Sequence, residues 1–190
     1  MMPRLYALRL DSSLRLRGFS LNSVQKTDMP IPSREPFQIG SMKFQILDRR
    51  LMGQTTAHIP YGVISITGRE QLHPCIPASA CCLGVLRIKF DDIQENILGM
   101  TLFSEAHAHE IIDFYDEMRA KGARLMIINC EQGRCRSAAI GAALAEMERA
   151  TSWFDKRFEP NVHVRRVMGD AVQAALISQY RRFAPTLPYS

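Results

Sequence analysis

The sequence predicts an α/β fold, a mostly parallel central sheet flanked by helices. Three observations carry that expectation. From residue 42 onward the signals run strand, strand, helix, strand, helix, helix, the order of a layered α/β domain. The segment RLMIIN, residues 124–129, reads as a strand buried in the middle of a sheet. Directly after it, Ser137 to Arg149 is a run of small residues that suits a helix packed closely on that sheet. With 190 residues the chain has room for one compact domain and too few for two large ones.

The first 41 residues differ from the rest. They are rich in Arg and Ser, contain Pro30, Pro32, Pro36 and Gly40, and show no sustained periodicity. The expectation is a disordered or extended tail over 1–41, with an Arg-rich leader or an early translation start as the alternatives. The folded domain is expected to span 42–190, opening with MKFQILDRR. The tail holds six basic and three acidic residues, so it carries +3 of the formal +5 net charge. No dense Lys/Arg stripe is interleaved with aromatics, which argues against a nucleic-acid partner. No apolar run approaches the ~20 residues needed to cross a bilayer. A cytoplasmic monomer without a membrane partner is expected.

Each element has a local reason. Tyr61 to Thr67 is β-branched and apolar and ends at Gly68, a strand. Gly84 to Phe90 alternates apolar and basic residues, a strand with one face buried. Ser104 is placed to cap a helix with Glu105 in its first turn and Ile111, Ile112, Phe114, Tyr115 and Met118 on its apolar side. Gly122 sits where that helix should stop. In the small-residue helix Ile140, Leu144 and Met147 are expected to face inward. A last helix is predicted from about Val162 to Phe183, capped by Asn161. Trp153, Phe154 and Phe158 read as packing between the last two helices.

Five cysteines, at 75, 81, 82, 130 and 135, show no CxxC and no matching His pair, so no metal site is expected. Cys75, Cys81 and Cys82 read as small buried hydrophobes of a reduced protein. His107 and His109, two apart on a predicted helix, cannot share a face as i,i+4 ligands do, and read as structural or solvent-facing.

Cys130 differs from the other four in its neighbours. In Asn129-Cys130-Glu131-Gln132-Gly133-Arg134-Cys135-Arg136-Ser137 a buried strand ends at a cysteine, a short loop turns, and a helix begins. Amides in such a loop can converge on one point, and the helix N-terminus adds partial positive charge there. Gly133 supplies a position free to take φ > 0. Arg136 can return over the concavity and grip two oxygens of a phosphate with its fork. The same field favours the thiolate of Cys130, and Ser137 can donate a hydrogen bond to the sulfur.

This stretch resembles the His-Cys-x-x-Gly-x-x-Arg-Ser/Thr signature of the protein tyrosine and dual-specificity phosphatases, through Cys130, Gly133, Arg136 and Ser137. From Met42 through the helix after Ser137 the chain is similar to small bacterial-type members of that superfamily. The resemblance implies a hydrolase that cleaves phosphomonoesters through a phospho-cysteine intermediate, with no cofactor. Its substrate would be a phosphorylated protein or a small phosphomonoester. Cys130 would be the nucleophile, and residues Glu131, Gln132, Gly133, Arg134, Cys135, Arg136 and Ser137 would form the phosphate site. Glu131 and Gln132 would serve through their amides, and Arg134 through added positive charge. The family's acid–base carboxyl lies on a loop a few dozen residues upstream. Asp92, 38 residues before Cys130, is the expected match, with Asp91 the fallback.

Two positions depart from the signature. Asn129 stands where the family has His, and it is expected to hydrogen-bond the loop backbone instead. Cys135 stands where Ser or Gly is usual, either as an isostere or as a disulfide partner for Cys130. The alternatives are a pseudophosphatase that binds phosphorylated ligands with little turnover, and a rhodanese-like or arsenate-reducing enzyme. Reductases of that kind carry the loop near the N-terminus, whereas here it lies deep in the chain.

Overall fold

The computed structural model describes residues 37–39, 42–148 and 158–183. Five strands, β1 (Phe37–Ile39), β2 (Met42–Leu47), β3 (Tyr61–Thr67), β4 (Cys82–Lys89) and β5 (Leu125–Asn129), form one sheet in the order β1-β2-β5-β3-β4. β2, β5, β3 and β4 are parallel, and β1 adds an antiparallel edge. The helices are α1 (Arg49–Met52), α2 (Glu105–Ala120), α3 (Arg136–Met147) and α4 (Val162–Phe183). The α/β class read from the sequence is therefore the one observed.

β1 lies ahead of residue 42, within the segment 1–41, and Phe37 pairs in register with Phe44. Residues 1–36 lie outside the described residues, as do Arg149, Trp153 and Phe154. Among the described residues no helix is long and apolar enough to cross a membrane.

The strand period of two sorts the sheet into unequal faces. Phe44, Ile46, Ile64, Ile66, Ile88, Met126 and Ile128 meet residues of α2, α3 and α4 in one large cluster, which Phe158 joins. Leu47, Tyr61, Val63, Leu125 and Ile127 form a smaller cluster with Leu51 and Met52 of α1 and with Ile59 and Ile76 of the connecting loops. All three long helices thus contribute to one cluster, and a one-turn helix with loops completes the other. β3 and β5 are the best shielded strands: every residue of Tyr61–Thr67 and of Leu125–Asn129 is buried.

Local chemistry explains the helix ends. Ser104 N–H donates to His107 Nδ1 at 3.1 Å at the start of α2. At its end Gly122 takes φ +84°, Ala123 N–H reaches Met118 C=O at 2.9 Å and Gly122 N–H reaches Arg119 C=O at 3.0 Å. Those are the two bonds of a Schellman stop. α2 docks against the sheet by a glycine groove: Gly62 and Gly84 are ladder partners, and a Cβ on either would stand 2.7 or 2.8 Å from the Met118 side chain.

β5 sits between β2 and β3, although β4 is the strand before it in sequence. The chain order switches there, and in parallel sheets the crevice outside the carboxyl ends at such a point is where ligands bind. Leu47, Thr67, Lys89 and Asn129 end the four parallel strands. The residues just beyond them build the site.

Candidate active site

Residues 130–135 carry the chain from the end of β5 to the start of α3. Cys130 is 2% exposed, at the foot of the turn, with its Sγ 3.1 Å from Ser137 Oγ. At that distance either group can be the donor. Gly133 has φ +64°, and a Cβ there would lie 2.6 Å from both Asp48 N and Leu47 C. The loop is seated against the end of β2 with no room for a side chain. Gly133→Ala is accordingly expected to destabilise the fold by about 1–3 kcal/mol, from positive-φ strain and overpacking. Denaturant unfolding of the variant measures it.

The loop spends its carbonyls on the scaffold. Glu131 C=O accepts from Arg49 N–H at 3.3 Å, and Cys135 C=O accepts from Ala139 N–H at 3.0 Å and Asn161 N–H at 3.2 Å. Among the described residues, none of the amides of Glu131, Gln132, Gly133 or Cys135 donates to another backbone carbonyl. A nest of this type has its donors available for an anion.

Arg136 is buried, 5% exposed, in the first turn of α3. Its Nη1 donates to Phe90 C=O at 2.8 Å, and the guanidinium carbon lies 5.9 Å from the centre of the Phe90 ring. Its Nε has no hydrogen-bond partner among the described residues and stands 3.9 Å from Asp92 Oδ2. One arm is thus anchored on the strand end that leads to Asp92, while a buried charged donor stays unspent. Buried polar groups without partners are rare and call for a reason.

The two aspartates separate cleanly. Asp91 accepts from Arg69 N–H at 3.1 Å on Oδ1 and from Thr101 N–H at 2.8 Å on Oδ2, so both oxygens tie loops together. Asp92 is 39% exposed at its side chain, faces Arg136, and accepts on Oδ1 from Asn161 Nδ2 at 2.8 Å. A cavity of about 440 Å³, lined by both aspartates together with Gly68, Arg69, Met100 and Arg136, opens at this point, so it is their hydrogen-bond partners and not the cavity that distinguish them.

The structure places the other predicted positions less uniformly. Glu131 and Gln132 are exposed, and the Glu131 carboxylate lies 3.5 Å from Arg49 Nη1. Arg134 is held by Glu159 at 2.7 Å, so its charge is partly countered rather than open to a ligand. Burial pushes the Cys135 thiol up, and neighbouring Asp92 and Cys130 push the same way. Asn129 does not behave as expected: it is fully buried, and neither its Oδ1 nor its Nδ2 has a hydrogen-bond partner among the described residues. Its backbone stands in the ladder between Leu47 and Ser65. His107 Nδ1 serves the start of α2, and burial lowers its pKa, whereas His109 is exposed. Of the remaining cysteines, Cys75 is exposed rather than buried, and Cys81 and Cys82 are half-buried. Among the described residues no group of three or more His, Cys, Asp or Glu could hold a metal.

Sequence reasoning missed Asn161 as a member of this site and saw only a helix cap. It also missed the Phe90 carbonyl and Glu159. A backbone acceptor leaves no mark on residue type, and the Asn161 contacts span 69 residues to Asp92. Only the Pro160-Asn161 pair, stopping the chain before α4, could have drawn attention there.

No family model matches the chain, and the curated proteins contain no match. Among solved structures, it is similar to dual-specificity and tyrosine phosphatases. A mouse dual-specificity phosphatase complexed with zinc tungstate is 18% identical over 88% of this chain and 100% of that one, with a TM-score of 0.49. Human DUSP28 is 20% identical over 71% of this chain and 94% of its own, with a TM-score of 0.45. PTPMT1, solved in complex with PI(5)P, is 14% identical over 73% and 94%, with a TM-score of 0.48. Similarity of this degree bears on neither mechanism nor substrate, which rest on the geometry of the site.

Proposed function

We propose that the chain is a phosphomonoester hydrolase acting through a phospho-cysteine intermediate, of the protein tyrosine and dual-specificity phosphatase type. One observation supports the reading: a buried thiol lies at the carboxyl end of β5, six residues before a guanidinium that has an unspent donor and faces a half-exposed carboxyl, and between thiol and guanidinium the amides of Glu131, Gln132, Gly133 and Cys135 donate to no backbone carbonyl among the described residues. A tetrahedral oxyanion is the ligand that such a nest accepts.

The chemistry derives from the groups present. The Cys130 thiolate attacks phosphorus, an S–P bond forms and the P–O bond to the leaving group breaks. Protonated Asp92 gives its proton to the departing oxygen. In the second half the Asp92 carboxylate takes a proton from water as the water oxygen bonds to phosphorus. The S–P bond breaks, and the thiolate returns to the hydrogen bond offered by Ser137. Arg136 and the amides of Glu131 to Cys135 balance the charge on the equatorial oxygens in both steps. Neither half needs a cofactor. A phosphorylated protein or small phosphomonoester is the substrate class of this reading, met by a monomer in the cytoplasm.

A second reading, phosphate binding with little turnover, draws on Asn129. A buried amide without partners gives the loop no support from below, and a loosely held nest binds an anion better than it organises a transition state. Hydrolysis of an aryl phosphate by the purified full chain, in the presence of a metal chelator, separates the two. The expected result is turnover that vanadate inhibits. Thermal stabilisation by vanadate with no turnover would favour the binding-only reading, and neither effect would sink both.

A further inference from the structure

We infer that Asn161 is a positioning residue for the acid–base carboxyl, so that the segment entering α4 sets the competence of a site built elsewhere in the chain. The inference rests on the role of Asp92 proposed above.

Asn161 is 5% exposed and joins three parts of the molecule. Its Oδ1 accepts from Val164 N–H at 3.0 Å and so caps α4. Its Nδ2 donates to Asp92 Oδ1 at 2.8 Å and to Ile93 C=O at 3.2 Å. Its own N–H donates to Cys135 C=O at 3.2 Å, on the phosphate loop. Two residues earlier, Glu159 holds Arg134 of the same loop at 2.7 Å. As a helix cap alone, Ser, Thr or Asp would serve as well. Among the strong cap residues only Asn couples that acceptor to an amide with two further donors. Here the amide donates to both a carboxylate and a carbonyl of the acid loop.

This arrangement has two effects on the acid. With Oδ1 of Asp92 occupied by a donor, the transferable proton belongs on Oδ2, the oxygen that faces Arg136 and the place of the phosphate. The amide also opposes the collapse of the carboxylate onto the guanidinium. The 3.9 Å between Arg136 Nε and Asp92 Oδ2 is longer than a hydrogen bond, and closing it would occupy the donor that the substrate needs. Asn161 therefore keeps acid and clamp close but separate.

The test measures kcat on aryl phosphates whose leaving groups run from activated to unactivated phenols. An acid matters most where the leaving oxygen is poor. Asn161→Ser retains a side-chain oxygen for the cap and removes the amide; Asn161→Asp retains the cap and places a like charge beside Asp92. For either variant we expect a loss of about 10- to 100-fold on unactivated substrates and little on activated ones, the size of a small misplacement of a reacting group. Combined with Asp92→Asn, neither substitution should lower kcat further, because the pair acts as a unit. Equal losses across all leaving groups, or losses that add to that of Asp92→Asn, would reduce Asn161 to a structural cap and overturn the inference. Should Asp92→Asn itself show no leaving-group selectivity, the acid assignment is what fails. Should the wild-type chain turn over no aryl phosphate, the reading of the whole site falls, and this inference with it.

Discussion

Cys130→Ser is expected to lower aryl phosphate turnover by about 10⁴-fold or more while leaving anion binding largely intact. The serine hydroxyl is not ionised at neutral pH and is a far weaker nucleophile than a thiolate, so the first S–P bond has no counterpart. Binding depends on other groups: the amides of Glu131, Gln132, Gly133 and Cys135, and the buried Arg136, whose Nε is unspent. None of these changes when one oxygen replaces one sulfur beside Ser137. Steady-state kinetics paired with a vanadate- or phosphotyrosine-binding titration reads both halves at once. Turnover that persists in Cys130→Ser under metal chelation would mean that another nucleophile does the work, and the cysteine mechanism would be abandoned. Retained folding, with both turnover and binding lost, would place Cys130 in the structure of the nest rather than in the chemistry.

Asp92→Asn is expected to cost about 10²–10⁴-fold in kcat, the usual contribution of a general acid. Asn keeps the shape and can still accept from Asn161, so the loss isolates the proton. Asp91→Asn is expected to act differently. Both Asp91 oxygens accept backbone N–H groups, from Arg69 and Thr101, and an amide can supply only one acceptor oxygen where two are needed. The other N–H then faces an N–H of the new side chain. That costs about 1–3 kcal/mol of stability with a modest effect on kcat. A melting curve and a kcat for each variant give four numbers that cross over. If the large kinetic loss belongs to Asp91 and the large stability loss to Asp92, the assignment is reversed.

Much of this site is legible in the one-dimensional chain because its central part is local. Cys130, Gly133, Arg136 and Ser137 lie within eight residues, and their spacing implies the geometry of a strand, a tight turn and a helix N-terminus. A glycine in such a turn implies a positive φ, and φ +64° is what Gly133 adopts. Burial of residues 125–128 is readable from composition for the same reason: an unbroken apolar run has nowhere to go but the middle of a sheet. Asp92 is a harder case. Residue type and distance upstream narrow the choice to two adjacent acids, and only their partners tell them apart.

Where expectation and structure diverge, long-range geometry is the cause. Asn129 is expected from its position to bond the loop, yet it stands buried in the ladder between Leu47 and Ser65 and its amide has no hydrogen-bond partner among the described residues. Arg134 reads along the chain as open positive charge, yet Glu159, 25 residues on, holds it.

The linear chain by itself determined the class of fold, the strand–loop–helix nest and the identity of the thiol and guanidinium within it, because each depends on contacts a few residues apart and on the hydrophobic period. The tertiary structure alone decided which aspartate stands beside Arg136, where Arg136 is anchored, and that Asn161 joins the Asp92 loop to the loop of Cys135. The contacts that anchor Arg136 and tie Asn161 to Asp92 span 46 and 69 residues. They are set by the order in which parallel strands lie side by side, and side-chain chemistry carries no record of that order until the sheet has formed.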